Sequence, residues 1–247
     1  MTRPIRIISV FAAVAFMLAV DVASVMAQPG AFTLAVRTGG PFSGSRGTLT
    51  FDADGVSYHT DRQDRQRSWR YPDLQQLQIV GPTRVTLLTY EDQGGLRFGA
   101  DRAYTFEVTG APISGDNVAY LLERLSRPVV TAVLPASDSV PRHAVPVKHA
   151  QRRGSNGILT LRDDALVYAT EAEGQSRFWR WTDIFAVLQI DRFRLEVVAY
   201  EGGGGDTRRY TFDLKRELPD GFYTTLWSRL NAPAPWAAST GGPTAHP

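Results

Sequence analysis

The chain has 247 residues, of which 43% are hydrophobic and 11% aromatic, which is enough for two packed domains of about 100 residues each. It contains no cysteine, so thiolate catalysis is excluded and stability must come from packing rather than from disulfides. The formal charge of +2 gives no electrostatic footprint for nucleic acid, and arginines alternate with acids in segments such as 61–65, as on a solvated face.

The segment 1–27 has the pattern of a cleavable secretory signal peptide. Arg3 and Arg6 precede an apolar run at 7–20, and small residues follow at 25–27. The alternative is an uncleaved membrane anchor, but the apolar run is shorter than the roughly 20 residues that a spanning helix needs. Both interpretations predict an exported protein, either periplasmic or extracellular.

From residue 47 onward the sequence repeats itself at an offset of 110 positions. Thirteen of the 45 positions from Gly47 to Glu91 are identical to their counterparts in 157–201. The identical pairs include Tyr58 with Tyr168, Trp69-Arg70 with Trp179-Arg180, and Asp73 with Asp183. The sequence therefore predicts a duplicated domain.

Short runs of alternating apolar and polar residues predict seven strands in each copy. The first copy has them at 32–38, 47–52, 55–60, 66–71, 74–80, 84–91 and 103–109. The second copy has them at 145–149, 157–162, 165–170, 176–181, 184–190, 194–201 and 209–214. Since each copy ends with apolar residues at helical spacing, a single amphipathic helix is expected to close each domain.

The two predicted helices have recognisable apolar stripes and caps. The stripes are Val118, Leu121, Leu122 and Leu125 in the first, and Phe222, Tyr223, Leu226, Trp227 and Leu230 in the second. Ser114 or Asp116 is predicted to cap the first helix and Asp220 the second.

Domain boundaries follow from these elements and from two segments rich in proline. We predict a signal peptide at 1–27, a first repeat at 30–128, a linker at 129–142, a second repeat at 143–231 and a disordered tail at 232–247.

The order of seven strands and one closing helix, with Trp69-Arg70-Tyr71-Pro72-Asp73-Leu74 and Trp179-Arg180-Trp181-Thr182-Asp183-Ile184 in the middle of each copy, resembles the pleckstrin-homology superfold. It is similar in style to bacterial PH-like and GRAM-type domains. The resemblance implies a mainly β protein with two tandem β-sandwich or barrel domains, each closed by a C-terminal helix, that binds lipids, peptides or proteins. The acidic loop 52–54 departs from phosphoinositide-binding members, which carry basic residues in an early loop.

The repeated aromatic-Arg-aromatic element supplies the candidate binding residues, Arg67, Arg70, Arg177 and Arg180. Because side chains alternate along a strand, Arg70 and Arg180 are expected on the face opposite the flanking aromatic residues. One interpretation makes the aromatic residues core and pairs the arginines with acids of the chain. The other makes them a surface strand for an acidic partner.

Signals for catalysis, metals and cofactors are weak. His143 and His149 lack a third ligand at a recognised spacing, and there is no Gly-x-Ser-x-Gly turn. The glycine run 202–205 joins two strands, so it does not form a phosphate cradle in front of a helix. We therefore predict no catalytic residue, no metal and no cofactor.

The sequence is most consistent with an exported, non-catalytic binding or scaffolding protein that recognises a peptide or protein in the cell envelope. We predict no nucleic-acid partner, whereas peripheral membrane contact is compatible with the sequence but not indicated by it. A carrier of a small apolar ligand or lipid is the first alternative. A hydrolase with a site at the domain junction is the second.

Overall fold

The computed structural model describes residues 31–39, 44–93, 101–151, 154–203 and 205–232. The strands of the first half are β1 Phe32–Thr38, β2 Ser45–Phe51, β3 Gly55–Thr60, β4 Arg67–Arg70, β5 Leu74–Ile79, β6 Arg84–Asp92 and β7 Asp101–Val108, followed by helix α1 Gly115–Arg124 and strand β8 Val129–Thr131. Those of the second half are β9 His143–His149, β10 Asn156–Leu161, β11 Ala165–Ala169, β12 Arg177–Arg180, β13 Ile184–Asp191, β14 Arg194–Gly203 and β15 Asp206–Leu214, followed by helix α2 Phe222–Leu230.

The strands form two separate sheets, one from each half of the chain. The hydrogen-bonded order is β4-β3-β2-β1-β7-β6-β5-β8 in the first sheet and β12-β11-β10-β9-β15-β14-β13 in the second. Apart from β8 the two orders are the same, and every pair except β5 with β8 is antiparallel. The predicted mainly β fold is confirmed, with one helix following seven antiparallel strands in each half.

Neither sheet closes into a barrel. In the part of the chain that the structure describes, β4 and β8 are the outer strands of the first sheet, and β12 and β13 are those of the second. The architecture is consistent with two β-sandwich domains, whereas the barrel form of the prediction is not observed.

Strand β8 lies at the start of the segment 129–142, which the sequence analysis predicted as a linker. Its residues Val129, Val130 and Thr131 are 2%, 7% and 0% exposed, and they pair in parallel with Leu77–Ile79 of β5. Because these three residues are buried and pair with β5, they belong to the first sheet and not to a free linker between the repeats.

Each half has its own hydrophobic core. The first includes Phe51, Leu74, Leu87, Phe106 and Leu121, and the second includes Tyr168, Trp179, Phe212, Phe222 and Leu226, all of them at most 1% exposed. Corresponding polar contacts accompany these cores. The hydroxyl of Tyr58 lies 2.9 Å from Oγ of Ser45, and that of Tyr168 lies 2.8 Å from Oγ of Ser155.

Each repeat has a glycine at the same position, and the absence of a side chain there leaves room for this tyrosine. A Cβ atom at Gly47 would lie 2.1 Å from the carbonyl oxygen of His59 and 2.9 Å from the Tyr58 ring. At Gly157 it would lie 2.3 Å from the carbonyl oxygen of Ala169 and 2.6 Å from the Tyr168 ring. Both positions therefore require glycine because backbone and ring approach too closely for any side chain.

The two helices begin differently. The Oγ of Ser114 accepts a hydrogen bond from the Asn117 N–H at 3.2 Å, which confirms the predicted cap of α1. At α2 the N-cap is Gly221, with φ of 77° and no side-chain hydrogen bond, so the predicted cap by Asp220 is wrong. The residue before α2 has a left-handed backbone conformation, which glycine adopts without strain.

The predicted signal peptide at 1–27 and residues 233–247 of the predicted tail lie outside the described residues. In the part of the chain that the structure describes, neither α1 nor α2 is long and apolar enough to span a membrane.

Candidate functional site

The four arginines predicted as binding residues do not form one surface. Arg67 and Arg70 of β4 are exposed, and Nη1 of Arg67 donates to two carbonyls of its own β3–β4 connection at 2.7 and 3.0 Å. Arg177 and Arg180 of β12 instead take part in intramolecular networks. No hydrogen bond or ion pair found among the described side chains joins one pair to the other.

Arg177 belongs to a buried polar network in the second repeat. Its Nε donates to the hydroxyl of Tyr210 at 2.9 Å and lies 3.5 Å from Oε2 of Glu201. Glu201 also accepts from Nε1 of Trp179 at 2.5 Å and from the Tyr210 hydroxyl. Burial raises the pKa of Tyr210, and the neighbouring Glu201 carboxylate adds to this effect. The network thus keeps one buried positive and one buried negative charge together.

The first repeat has the same network in an exposed form. Glu91 accepts from Nε1 of Trp69 at 2.9 Å and from the Tyr104 hydroxyl at 2.6 Å. Its cation is Arg102, with 3.8 Å between Nη1 and Oε2 and both side chains about 40% exposed. The Trp, Tyr and Glu side chains of the network are therefore matched in the two repeats, but the cation comes from β7 in the first and from β12 in the second.

Arg180 connects the two repeats. Its Nη1 donates to the carbonyl oxygens of Leu122 (3.0 Å) and Leu125 (2.5 Å), and its Nη2 donates to that of Arg127 (2.8 Å). These carbonyls lie at the C-terminal end of α1, where a helix carries partial negative charge and unpaired acceptors. The guanidinium also makes a bidentate contact with Asp183 at 2.8 and 3.0 Å. Burial raises the pKa of Asp183, and Arg180 opposes that shift.

An apolar contact and a hydrogen bond support this junction. The apolar contact consists of Ala165, Val167 and Phe178 from the second repeat, with Leu122 and Leu134 from the first. Nε2 of Gln76 donates to the carbonyl oxygen of Tyr200 at 3.1 Å. The repeats are therefore joined by apolar packing and by hydrogen bonds from Arg180 and Gln76 to backbone carbonyls of the opposite repeat.

Two cavities open at the junction, with volumes of about 410 and 500 Å³. The first has mostly apolar walls that include Leu122, Phe178 and Trp181, and the second is more polar, with Gln76 and Tyr200 among its residues. Neither lining contains a histidine among the described residues. The prediction of a hydrolase at this junction stays a prediction.

A smaller cavity lies at the same corner of each repeat, next to Arg67 in the first and Arg177 in the second. The volumes are about 250 and 190 Å³. The second cavity is bordered by His149, which is 4% exposed and forms no hydrogen bond through either ring nitrogen. Its ring packs on Tyr210 and Phe212, with centroids 5.4 and 5.3 Å away.

His149 is expected to make the protein less stable at acid pH. Burial lowers its pKa, and the positive charges of Arg177 and Arg208 lower it further. Below pH 6.5 the unfolded chain therefore takes up a proton that the folded chain does not, so stability falls as the pH falls. The free energy of unfolding, measured in urea at pH 7.5 and at pH 5.5, should fall less between these two pH values in His149→Phe than in wild type. The exposed His59→Gln should leave the loss unchanged, and an unchanged loss in His149→Phe would contradict the assignment.

No group of three or more His, Asp or Glu side chains in the described part of the chain is arranged to hold a metal ion. His143 packs its ring against Phe222, with centroids 5.9 Å apart.

The edge strand β13 carries an exposed apolar surface that the sequence analysis did not select. Phe185, Leu188 and Ile190 of this strand are 63%, 44% and 53% exposed, and Phe193, in the turn to β14, is 50% exposed. On its inner side β13 pairs with β14, and no second strand pairs with it among the described residues. Long, apolar and unpaired edges are uncommon in proteins, because they promote association with other strands.

The equivalent edge of the first repeat is covered. There β5 has β8 as its outer neighbour, and the positions of Phe185 and Leu188 are occupied by Gln75 and Gln78. This exchange of glutamine for large apolar residues is visible in the aligned repeats. It was the signal from which the surface could have been predicted.

No protein-family model and no curated protein sequence matches the chain. A solved structure titled "Structure of the Spt16D Pob3N heterodimer" aligns with 70% of this chain and 85% of its own, at 9% sequence identity and a TM-score of 0.28. A TM-score of this size supports no conclusion about fold or function. The resemblance to the pleckstrin-homology superfold therefore stays a prediction.

Proposed function

We propose that the chain is an exported, non-catalytic binding protein of the cell envelope, built from two tandem pleckstrin-homology-like repeats, and that it recognises a peptide or protein through the outer edge of β13. The observation that carries this proposal is the apolar surface of Phe185, Leu188 and Ile190 on a strand whose outer neighbour is missing from the described residues. An extended peptide can add to such an edge through main-chain hydrogen bonds, while its side chains provide specificity.

The exposed apolar side chains of β13 are large enough to contribute to the binding of a peptide. Full burial of a large apolar side chain contributes about 1.5–3 kcal/mol, so covering three side chains that are about half exposed contributes a few kcal/mol beyond the main-chain bonds. The cavities within the repeats, at about 250 and 190 Å³, are smaller than the ~300 Å³ at which small-molecule pockets begin, whereas the two at the junction, at about 410 and 500 Å³, are larger. A carrier of a small apolar ligand, with its site in the apolar junction cavity, therefore stays the alternative.

The proposal predicts that Phe185→Gln/Leu188→Gln loses its partner. Gln is the residue that the first repeat carries at both equivalent positions, so the backbone is expected to remain intact. Pull-downs from the envelope fraction, with tagged wild type and the double variant at equal concentration, should recover the partner about tenfold less with the variant, which corresponds to 1.4 kcal/mol.

Equal melting temperatures of the two proteins serve as the control for folding. Exchange of Val140 to Gln, which removes a 72% exposed apolar side chain outside β13, should leave recovery unchanged. The proposal is wrong if wild type and the double variant recover the same proteins in the same amounts.

A further inference from the structure

We infer that the occupant of the β13 edge is an extended segment of another chain that runs parallel to β13 and carries branched apolar side chains, in the way that β8 covers β5. This inference rests on the proposed function, and it adds the direction and the chemistry of the ligand. The inference is based on the pairing of β8 with β5, because β8 is a strand of this kind added to the equivalent edge within the chain.

Strand β8 shows how this edge is covered. The N–H of Leu77 donates to the carbonyl of Pro128 at 3.2 Å, and the N–H of Ala132 donates to the carbonyl of Ile79 at 2.9 Å. Between these two bonds, Val130 lies opposite Gln78, with its own N–H and carbonyl directed towards β5. Helix α1 contacts β8, so the strand occupies the space between helix and sheet edge.

The second repeat presents a corresponding edge. At the offset of 110, Val187 and Gln189 correspond to Leu77 and Ile79, and both edge strands have an irregularity after their first residue. Strand β13 has a second irregularity between Gln189 and Asp191, so the correspondence with β5 ends at Gln189. Each edge strand also pairs on its inner side with the strand that follows it in the chain. An incoming segment in the β8 register would accept from Val187 N–H and donate to the carbonyl of Gln189.

Helix α2 contacts β13 directly, so an added strand must displace contacts of the helix with this edge, including one hydrogen bond. The hydroxyl of Tyr223, on α2, lies 3.5 Å from the carbonyl oxygen of Val187, which is the limit for a hydrogen bond. In the first repeat the equivalent carbonyl belongs to Leu77 and faces Val130. The Tyr223 hydroxyl thus lies where the first repeat has a main-chain N–H of β8. Because its interaction with the Val187 carbonyl is weak, an arriving main-chain donor can replace it.

The chain's own C-terminal segment is poorly suited to this position. Aligning Leu230 with Leu125 places Pro233 at Pro128 and Pro235 at the position of Val130. Proline has no N–H, so this segment lacks the donor that the central position of the added strand requires. The ligand is therefore expected to come from a different chain, with valine-like residues at the central positions, because branched side chains suit an added strand.

The test uses the full chain with a labelled peptide that copies residues 127–134 as the probe. Binding, measured by fluorescence anisotropy, is expected for wild type. It should weaken about tenfold when the peptide carries Val130→Pro, and likewise when the protein carries Phe185→Gln/Leu188→Gln. Tyr223→Phe should bind at least as tightly as wild type, since it removes only the competing hydroxyl.

Direction is measured with a spin label at either end of the peptide and the amide signals of β13 in NMR spectra. A parallel complex requires that the N-terminal label broadens signals near Ile184 and the C-terminal label those near Asp191. The reverse pattern would overturn the inferred direction and leave the proposed function standing. Broadening confined to β5 would show that the peptide replaces β8, and would overturn the inference.

Two other outcomes separate this inference from the proposed function. If the peptide does not bind, but the envelope partner is still lost in Phe185→Gln/Leu188→Gln, the inferred ligand chemistry is wrong and the proposed function stands. If wild type forms a dimer that the same variant abolishes, the occupant is a second copy of this chain, and the inference is again wrong. If neither the peptide nor any envelope protein distinguishes the variant from wild type, both are wrong.

Discussion

Replacing Glu201 by alanine is expected to lower the free energy of unfolding by about 3–5 kcal/mol, because it leaves Arg177 buried without its counter-charge. The Glu201 side chain is 4% exposed and that of Arg177 is 9% exposed. The same substitution removes the acceptor of Trp179 Nε1 and of the Tyr210 hydroxyl. Urea unfolding followed by tryptophan fluorescence measures the loss.

The first repeat supplies the matched control for this prediction. Glu91 accepts from the corresponding groups of Trp69 and Tyr104, but its side chain is 43% exposed, so water can replace the carboxylate. Glu91→Ala should therefore cost only about 1 kcal/mol, which is typical of a hydrogen bond that solvent can compensate. Equal losses of unfolding free energy in Glu201→Ala and Glu91→Ala would show that burial does not determine how much each network contributes to stability.

Replacing Arg180 by alanine is the second large expected effect, a loss of about 3 kcal/mol. The substitution leaves Asp183 without its cation, at 6% side-chain exposure, and it removes the donors to three carbonyls at the end of α1. Because those carbonyls belong to the other repeat, the junction should loosen as well. Urea unfolding and hydrogen exchange of the α1 amides measure the two effects.

Arg70 is the matched control for Arg180, since the two residues are equivalent in the repeat. Arg70 is exposed, and its contact with Asp73 among the described residues is a hydrogen bond from the Arg70 backbone N–H to Oδ2 of Asp73, at 3.0 Å. Arg70→Ala should therefore change stability by less than about 0.5 kcal/mol, as expected for a surface position. If Arg180→Ala keeps wild-type protection of α1 and loses no more stability than Arg70→Ala, the proposed role of Arg180 is wrong.

The strands and helices could be predicted because their signals are local. Alternation over five to eight residues indicated fourteen strands, and helical spacing indicated α1 and α2. Strand β8 could not be found in this way, because it has three residues and its partner β5 lies about 50 residues earlier in the chain. Its stability comes from pairing and burial, and neither leaves a periodic pattern in so short a segment.

The prediction of the site was limited by differences in burial between identical residues. Arg67 and Arg177 align, yet Arg67 is exposed and contacts carbonyls of its own loop, whereas Arg177 is 7% exposed and also contacts Tyr210 and Glu201. Trp227 was predicted to face the core and is instead 58% exposed. Sequence position gives the residue type, whereas the depth of each side chain depends on the elements packed above it.

The contacts of Arg180 show a further limit. Its acceptors are backbone carbonyls of the other repeat, and any residue type provides a backbone carbonyl. No pattern in the sequence can therefore identify them. The apolar edge of β13 is different, since the change from Gln75 and Gln78 to Phe185 and Leu188 was readable once the repeats were aligned.

The placement of β8 restricts how the stretch between the duplicated halves can change in evolution. A free connection accepts added residues at little cost, since lengthening it changes only a small entropic term. A residue inserted between α1 and β8 must be absorbed in the four positions from Leu125 to Pro128, or it shifts the register and turns each side chain of the strand to the opposite face. The part of this stretch from Leu125 to Thr131 is therefore held to a fixed length, as a core element would be.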